Sequence, residues 1–168
     1  MRRITAIVAA IAAVFAVTAV AGAASSQESA QGNYEQFNGF YAVSFSAKAT
    51  LENTNASGHL TWTNQSTDPN TVLQADVTCL TVGPARTATI GGTVTSFTGP
   101  QSFPGVHGVF IQVTDNGQGP TQLLPDTATP PLTNATAPTA DTCVPPFVVS
   151  QSPITSGDIT VKPVKTGL

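Results

Sequence analysis

The stretch "ADVTCLTVGPARTATIGGTVTS", residues 75–96, decides the fold class of this chain. Apolar and polar residues alternate on both sides of a Gly-Pro break, and a period of two is typical of half-buried β-strands. The break is too short for anything but a tight turn, so the stretch predicts a β-hairpin. Leu80 and Val82 fall on the polar side of the first strand, which predicts a bulge or a twisted strand end near Thr81.

Two features stand out within this hairpin. Cys79 continues the alternating apolar positions Ala75 and Val77, so its side chain is expected to face the core with theirs. Gly91 and Gly92 lie in the middle of the returning strand. They predict either a sharp backbone bend, as a closed sheet needs, or close packing against a bulky neighbour such as Trp62.

Alternation recurs along the rest of the chain. We expect strands at residues 40–51, 59–63, 106–114 and 156–163 and a weak one at 123–124, with turns at 52–58 and 64–70. No segment of ten or more residues beyond the leader shows a helical period. The pattern predicts an all-β fold of about 6–8 antiparallel strands. The glycine pair favours a single small β-barrel, and a β-sandwich is the alternative.

The domain organisation begins with a leader. Residues 1–24 combine a basic start, an apolar run and two overlapping small-residue cleavage sites, which predicts a secretory signal peptide and an extracellular product. Residues 25–36 are small and polar and are expected to be a flexible mature N-terminus. Residues 37–168 are expected to form one β domain. Within it, residues 125–153 hold most of the prolines and predict a long loop.

The charge balance limits the partners. The chain has six basic and nine acidic residues, and four basic residues remain once Arg2 and Arg3 leave with the leader. Four cations spread along the sequence do not predict a surface that follows a phosphate backbone, so we expect no nucleic-acid partner. We also expect no membrane association after signal cleavage.

The cysteines are the most specific pair of residues. An even count of two in an exported protein predicts one disulfide, between Cys79 and Cys143. It would attach the proline-rich loop to the sheet, and closing so long a loop stabilises a fold by roughly 4 kcal/mol in the chain-entropy model. No C-x-x-C motif suggests redox catalysis.

The patterns for metals and catalysis are weak. His59 and His107 lack the close ligand spacing of zinc sites, and "DNGQG" lacks the further acids of a calcium loop. We predict no metal, no cofactor and no catalytic residue, and a non-enzymatic domain. The alternative is a secreted hydrolase that uses carboxylates at strand ends, for which the acids available by type are Asp76, Asp115, Asp126 and Asp158.

The expected role is therefore binding or structural. A cell-envelope glycan or a small ligand in the interior or at one mouth of the barrel is the leading hypothesis, and a structural component is the other. Trp62, His107 and Phe110 are the residues proposed to line such a site.

Four short motifs in order also carry a resemblance. The pattern is V-x-C-L and I-G-G in the hairpin, V-x-D-N-G in "GVFIQVTDNGQGP", a late "DTCVPP", and S-G-D-I-x-V at the closing "SGDITV". In this pattern, over roughly residues 40–161, the chain resembles a loose group of small, uncharacterised secreted bacterial β proteins. This chain has Gly83-Pro84 where the group often has Gly-Asn. The resemblance implies an exported, disulfide-bonded β domain and brings no activity, cofactor or catalytic residue.

Overall fold

The structure is a computed structural model that describes residues 27–50, 53–100, 104–117, 124–145 and 150–164. The predicted signal peptide lies outside these residues. None of the described segments forms a helix able to cross a bilayer. The described residues form ten strands: β1 (Gln27–Gln36), β2 (Tyr41–Thr50), β3 (Asn53–Asn64), β4 (Thr71–Val82), β5 (Thr87–Thr98), β6 (Gly108–Thr114), β7 (Thr127–Ala128), β8 (Leu132–Asn134), β9 (Ser152–Pro153) and β10 (Ser156–Lys162).

All ten strands belong to one antiparallel sheet. The order is β10-β1-β2-β3-β4-β5-β6-β7-β9, and β8 also pairs with β6. The sheet curls until β10 contacts β6, yet no backbone ladder joins them, so the barrel stays open along a seam. The all-β antiparallel prediction is confirmed. The closed barrel and the two-sheet sandwich are wrong, and ten strands exceed the expected 6–8 because the proline-rich segment contributes three very short ones.

The first strand corrects the expected flexible N-terminus. Gln27–Gln36 pairs with β2 on one side and with β10 on the other, so most of residues 25–36 lies inside the sheet. Likewise, β3 begins at Asn53, within the segment 52–58 that was expected to be a turn. These polar, small-residue segments form strands because they complete backbone hydrogen bonding between better-patterned neighbours.

The main core fills the concave side of the sheet. It contains apolar side chains from the seven longer strands, among them Tyr34, Phe45, Leu60, Ile111 and Ile159. These interior side chains are almost fully excluded from solvent. The described part of the sheet therefore encloses a packed interior, and a cleft lies at its rim.

The predicted hairpin forms, but the alternation of inward and outward side chains along β4 shifts earlier in the strand than expected. Val77 pairs with Gly92 and Cys79 with Gly91, so Thr78 is an extra residue that bulges from β4. Beyond this bulge the faces exchange, and Leu80 and Val82 contact the main core. Cys79 instead lies on the outer face. The expectation that it faces the core, and the placement of the bulge near Thr81, are both corrected.

The outer face carries a second, smaller core. Cys79 is disulfide-bonded to Cys143, with a Cα–Cα distance of 5.6 Å, and the pair packs with Phe110 and Leu132. We call residues 129–145 the strap, because they cross this face of the sheet. The predicted disulfide is confirmed, and part of the proline-rich loop is attached to the sheet as expected.

Gly91 makes the attachment of the strap possible. A Cβ atom at this position would lie 2.6 Å from the Sγ of Cys79 and 2.8 Å from the Pro138 ring. The Thr78 hydroxyl donates a hydrogen bond to the carbonyl of Pro138 at 2.6 Å. Close packing therefore explains this mid-strand glycine, and its neighbours are the disulfide and the strap, in place of the expected Trp62.

Candidate functional site

One rim of the open barrel carries an aromatic cleft. It lies where the β1–β2 turn meets the β3–β4 turn and Pro130, the second residue after β7. The cleft has a volume of about 660 Å³, within the range of ligand-binding clefts. We call it the aromatic mouth; its lining residues are Phe37, Asn38, Phe40, Tyr41, Ser66 and Pro130.

The turn that forms this mouth has an unusual backbone. Phe37 and Asn38 have φ angles of 54° and 58°, in the left-handed region. Asparagine tolerates this region, whereas a bulky residue such as phenylalanine rarely occupies it. The turn is fixed to its neighbour by a hydrogen bond from the Gln65 N–H to the carbonyl of Phe40, at 2.8 Å. A strained position that the surrounding structure maintains in this way is a marker of function.

The aromatic rings form a line from solvent to core. Phe37 lies edge-on to Tyr41 at 5.4 Å between ring centroids, and Tyr41 lies edge-on to Trp62 at 5.5 Å. Trp62 is 8% exposed, whereas Phe37 and Phe40 are 42% and 54% exposed. Exposed rings on a rigid base present apolar surface that a ligand can cover.

The polar groups of the mouth are neutral. Among the described residues, its lining contains an amide and a hydroxyl, and the nearby carboxylate of Glu35 lies outside that lining and accepts a hydrogen bond from the Ser156 hydroxyl. Beneath it, the Gln36 amide donates hydrogen bonds to the carbonyls of Ala128 and Ser152 at 2.8 and 3.3 Å, which connects β1 to β7 and β9. Among the described residues, the Gln36 Oε1 and Trp62 Nε1 atoms are buried without a hydrogen-bond partner. The site therefore offers stacking surface and neutral hydrogen-bonding groups.

The three lining residues expected from the sequence occupy different places. Trp62 lies in the main core beneath Tyr41, and Phe110 lies on the opposite face beside the disulfide. His107 is exposed just before β6, where its backbone pairs with Val94 and Asn134. The structure does not bring them together. The sequence analysis missed Phe37 and Phe40, although the "FNGF" turn with two aromatic residues signals an exposed aromatic tip.

Two carboxylates occupy the seam. Asp115 and Asp126 are 5% and 2% exposed. The Oδ2 of Asp115 accepts the Val161 N–H at 3.0 Å, and the Oδ2 of Asp126 accepts the Ile159 N–H at 2.9 Å. Both donors belong to the free side of β10. The carboxylates therefore satisfy strand-edge groups that a closed barrel would pair by backbone bonds.

The other oxygen of each seam carboxylate is also engaged. Oδ1 of Asp115 accepts the Gly117 N–H at 2.8 Å, and Oδ1 of Asp126 accepts the Asn116 N–H at 2.9 Å. Burial raises the pKa of Asp126, and the nearby charges of Asp115 and Asp158 act in the same direction. Hydrogen bonds from backbone N–H groups oppose this rise in pKa.

The described residues give no metal-binding cluster. No group of three or more His, Cys, Asp and Glu side chains converges in the ranges that the structure covers. His59 pairs across strands with Asp76, and His107 is exposed elsewhere.

Comparisons with known proteins bring no relative. No protein family, curated protein or solved structure matches this chain.

Proposed function

We propose that this protein is a non-enzymatic, extracellular binding domain that holds a neutral glycan at the aromatic mouth. One observation carries the proposal: two phenylalanine rings are held half-exposed on a strained turn, next to the amide of Asn38 and the hydroxyl of Ser66. A turn whose only role was to connect β1 to β2 would not need a phenylalanine at positive φ.

The chemistry of sugars fits this arrangement. A pyranose ring has a face of C–H groups, which are weakly positive and pack on the negative face of an aromatic ring. Its hydroxyl groups exchange hydrogen bonds with amide and hydroxyl side chains, here those of Asn38 and Ser66. The aromatic mouth offers both kinds of contact side by side.

Charge favours a neutral ligand at this end. Burying a charged group without a partner costs much more than burying a hydroxyl that finds a hydrogen bond. The described lining of the aromatic mouth has no cationic side chain, so an anionic group would lose its hydration there without compensation. It would also meet the Glu35 carboxylate, whose Oε2 lies 3.8 Å from the place of a Cβ atom at Gly39. A neutral oligosaccharide avoids this cost.

An extracellular location agrees with the disulfide. Disulfides such as Cys79–Cys143 persist in oxidising compartments, and the leader has the pattern of a signal peptide. An extracellular binding domain of this kind would meet glycans of the cell envelope.

The hydrolase alternative has weaker support. Asp115 and Asp126 lie near each other at the ends of strands, as a glycosidase pair would. Both are almost fully buried, and each of them accepts two backbone N–H bonds. A nucleophile or general acid needs at least one oxygen facing substrate.

The test is affinity electrophoresis of the full-length secreted protein in gels that contain neutral polysaccharides, with β-1,4-, β-1,3- and α-1,4-glucans as separate arms. We expect retardation in at least one gel, and loss of it in Phe40→Ala. Leu124→Ala is the matched control, because Leu124 is 64% exposed but lies outside the mouth. Unretarded migration in every gel, or equal retardation of Phe40→Ala, contradicts the proposal.

A further inference from the structure

The described basic residues of this chain lie at the end of the sheet away from the aromatic mouth. Ser29 on β1 pairs with Lys48 on β2 and with Lys162 on β10, so the three residues form a row across adjacent strands. The row lies seven residues along β1 from Gln36, which precedes the mouth, or about 23 Å at 3.3 Å per residue. Cations that are far apart in the sequence are therefore close in space.

The two lysines of this row are oriented alike. Residues directly opposite each other in an antiparallel sheet share a face, and Lys48 and Lys162 are both exposed on the outer face. Two strand spacings separate their Cα atoms by about 10 Å. Flexible side chains of this length can converge on one anionic group above Ser29 or contact two successive groups along a polymer.

Arg86 extends the row. It shares a groove of about 390 Å³ with Lys162, Pro163 and Val164. Its side chain is 57% exposed, and its backbone has a φ of 54° next to Ala85 at 56°. Its carbonyl accepts the Asp115 N–H at 3.1 Å. Two consecutive left-handed residues held by this bond fix the place from which the guanidinium extends.

Asp115 and Glu28 lie beside these cations. Asp115 lines the same groove and forms an ion pair with Arg86 at 3.6 Å, which neutralises part of the guanidinium charge. The carboxylate is only 4% exposed and accepts the backbone bonds of the seam, whereas the guanidinium faces solvent, so a ligand at this surface meets the cation. Glu28 precedes Ser29 on β1 and points to the opposite face, because consecutive side chains of a strand alternate. The described part of the outer surface at this end therefore presents three exposed cations, in a chain with net charge −3.

We propose that Lys48, Ser29, Lys162 and Arg86, the basic strip, bind a linear anionic polymer of the cell envelope through its phosphate or carboxylate groups. Arginine matches such groups bidentately, and the lysines supply point charges along the chain. This site is separate from the aromatic mouth and does not depend on it. The disulfide and the predicted signal peptide favour a polymer of the cell envelope over a nucleic acid as the partner that these cations meet.

The experiment measures binding of the full-length secreted protein to poly(glycerol phosphate) and to polygalacturonate, with single-stranded DNA as a competing class. Poly(ethylene glycol) is the uncharged control, because a neutral glucan is the proposed ligand of the aromatic mouth. We expect binding to at least one of the first two, and the better of them identifies the anionic group. The logarithm of affinity should fall with the logarithm of salt concentration with a slope of about −2, which three cations give for a single-stranded polyanion.

The triple variant Lys48→Gln/Arg86→Gln/Lys162→Gln should lose at least tenfold in affinity while Phe40→Ala keeps it. An unchanged melting temperature and circular dichroism spectrum show that the triple variant is folded. If the triple variant is unfolded, Lys162→Gln alone is used, and we expect it to lose less affinity than the triple variant. Equal binding of the variant, absence of salt dependence, failure to bind either polyanion, or tighter binding of DNA overturns the proposal. Polyanion binding without neutral-glucan binding refutes only the proposed function of the mouth.

Discussion

The Oδ2 atom of Asp126 lies 2.9 Å from the backbone nitrogen of Ile159, across the seam where β10 faces the end of β6. This bond and its equivalent between Asp115 and Val161 hold the two edges of the sheet together with side chains in place of a ladder. The barrel is thereby curled but not closed, and its free strand edge is covered.

Removing one seam carboxylate should therefore lower the free energy of unfolding. In Asp126→Ala the buried Ile159 N–H loses its acceptor, and an unsatisfied buried donor costs about 1–3 kcal/mol. We expect the free energy of unfolding, measured by urea denaturation, to fall by about 2 kcal/mol. Asp141→Ala, at an exposed acid, is the control and should change stability by less than about 0.5 kcal/mol. Equal stability of the two variants would show that the seam bond is not stabilising.

Stability should also depend on pH through Asp126. Because burial raises its pKa, the folded state holds this proton more tightly than the unfolded state. Stability from this group is greatest below the unfolded pKa of 3.8, and it falls as pH rises from there through the higher folded pKa. Relative to Asp126→Asn, the wild-type free energy of unfolding should decrease across that window. A relative increase with rising pH contradicts this account.

The strap depends on the disulfide. Cys79 and Cys143 close a loop of 64 residues, so Cys79→Ala/Cys143→Ala should lower the free energy of unfolding by about 4 kcal/mol. Amide hydrogen exchange of residues 129–145 should accelerate more than that of β2, which lies far from the bond. Two free thiols in the denatured, unreduced wild-type protein would refute the bond itself.

At Tyr34 we expect a substitution that stabilises the protein. Its hydroxyl is buried with no partner among the described residues, and burial raises its pKa above the usual range. The ring packs edge-on to Phe45 at 6.2 Å, a contact that phenylalanine would keep. Tyr34→Phe should raise the free energy of unfolding by about 1 kcal/mol, since it removes a desolvated polar group. A clear loss of stability would mean that the hydroxyl has a bonding partner.

The sequence predicted the strands whose two faces differ. β2, β4 and β5 alternate between apolar and polar residues, and the short turn at Gly83 predicts the pairing of β4 with β5. β1 was not predicted as a strand. Ala30 and Tyr34 are its only apolar residues buried on the inner face, so the alternation in its sequence is weak. The sequence did not predict that the buried face of β4 changes at the Thr78 bulge. The strap buries Cys79 on the outer face, so both faces of this strand carry apolar residues.

The candidate site was less predictable than the sheet. Strand alternation identifies core positions, whereas the mouth is built from turns, and no pattern shows that Phe37 adopts a left-handed backbone. The basic strip was missed for a related reason. Lys48 and Lys162 lie far apart in the sequence, and only the pairing of β1 with both β2 and β10 brings them to one row.

The most direct test of the account follows the fluorescence of Trp62, the only tryptophan of the chain, during titration with the neutral oligosaccharide of the best-retarding glucan. Trp62 lies 5.5 Å from Tyr41 beneath the mouth, so sugar stacked on the rings should change its emission saturably. The account predicts this change in the wild type and in Leu124→Ala, and its loss in Phe40→Ala. An identical titration in Phe40→Ala, or no change in the wild type, contradicts binding at the mouth.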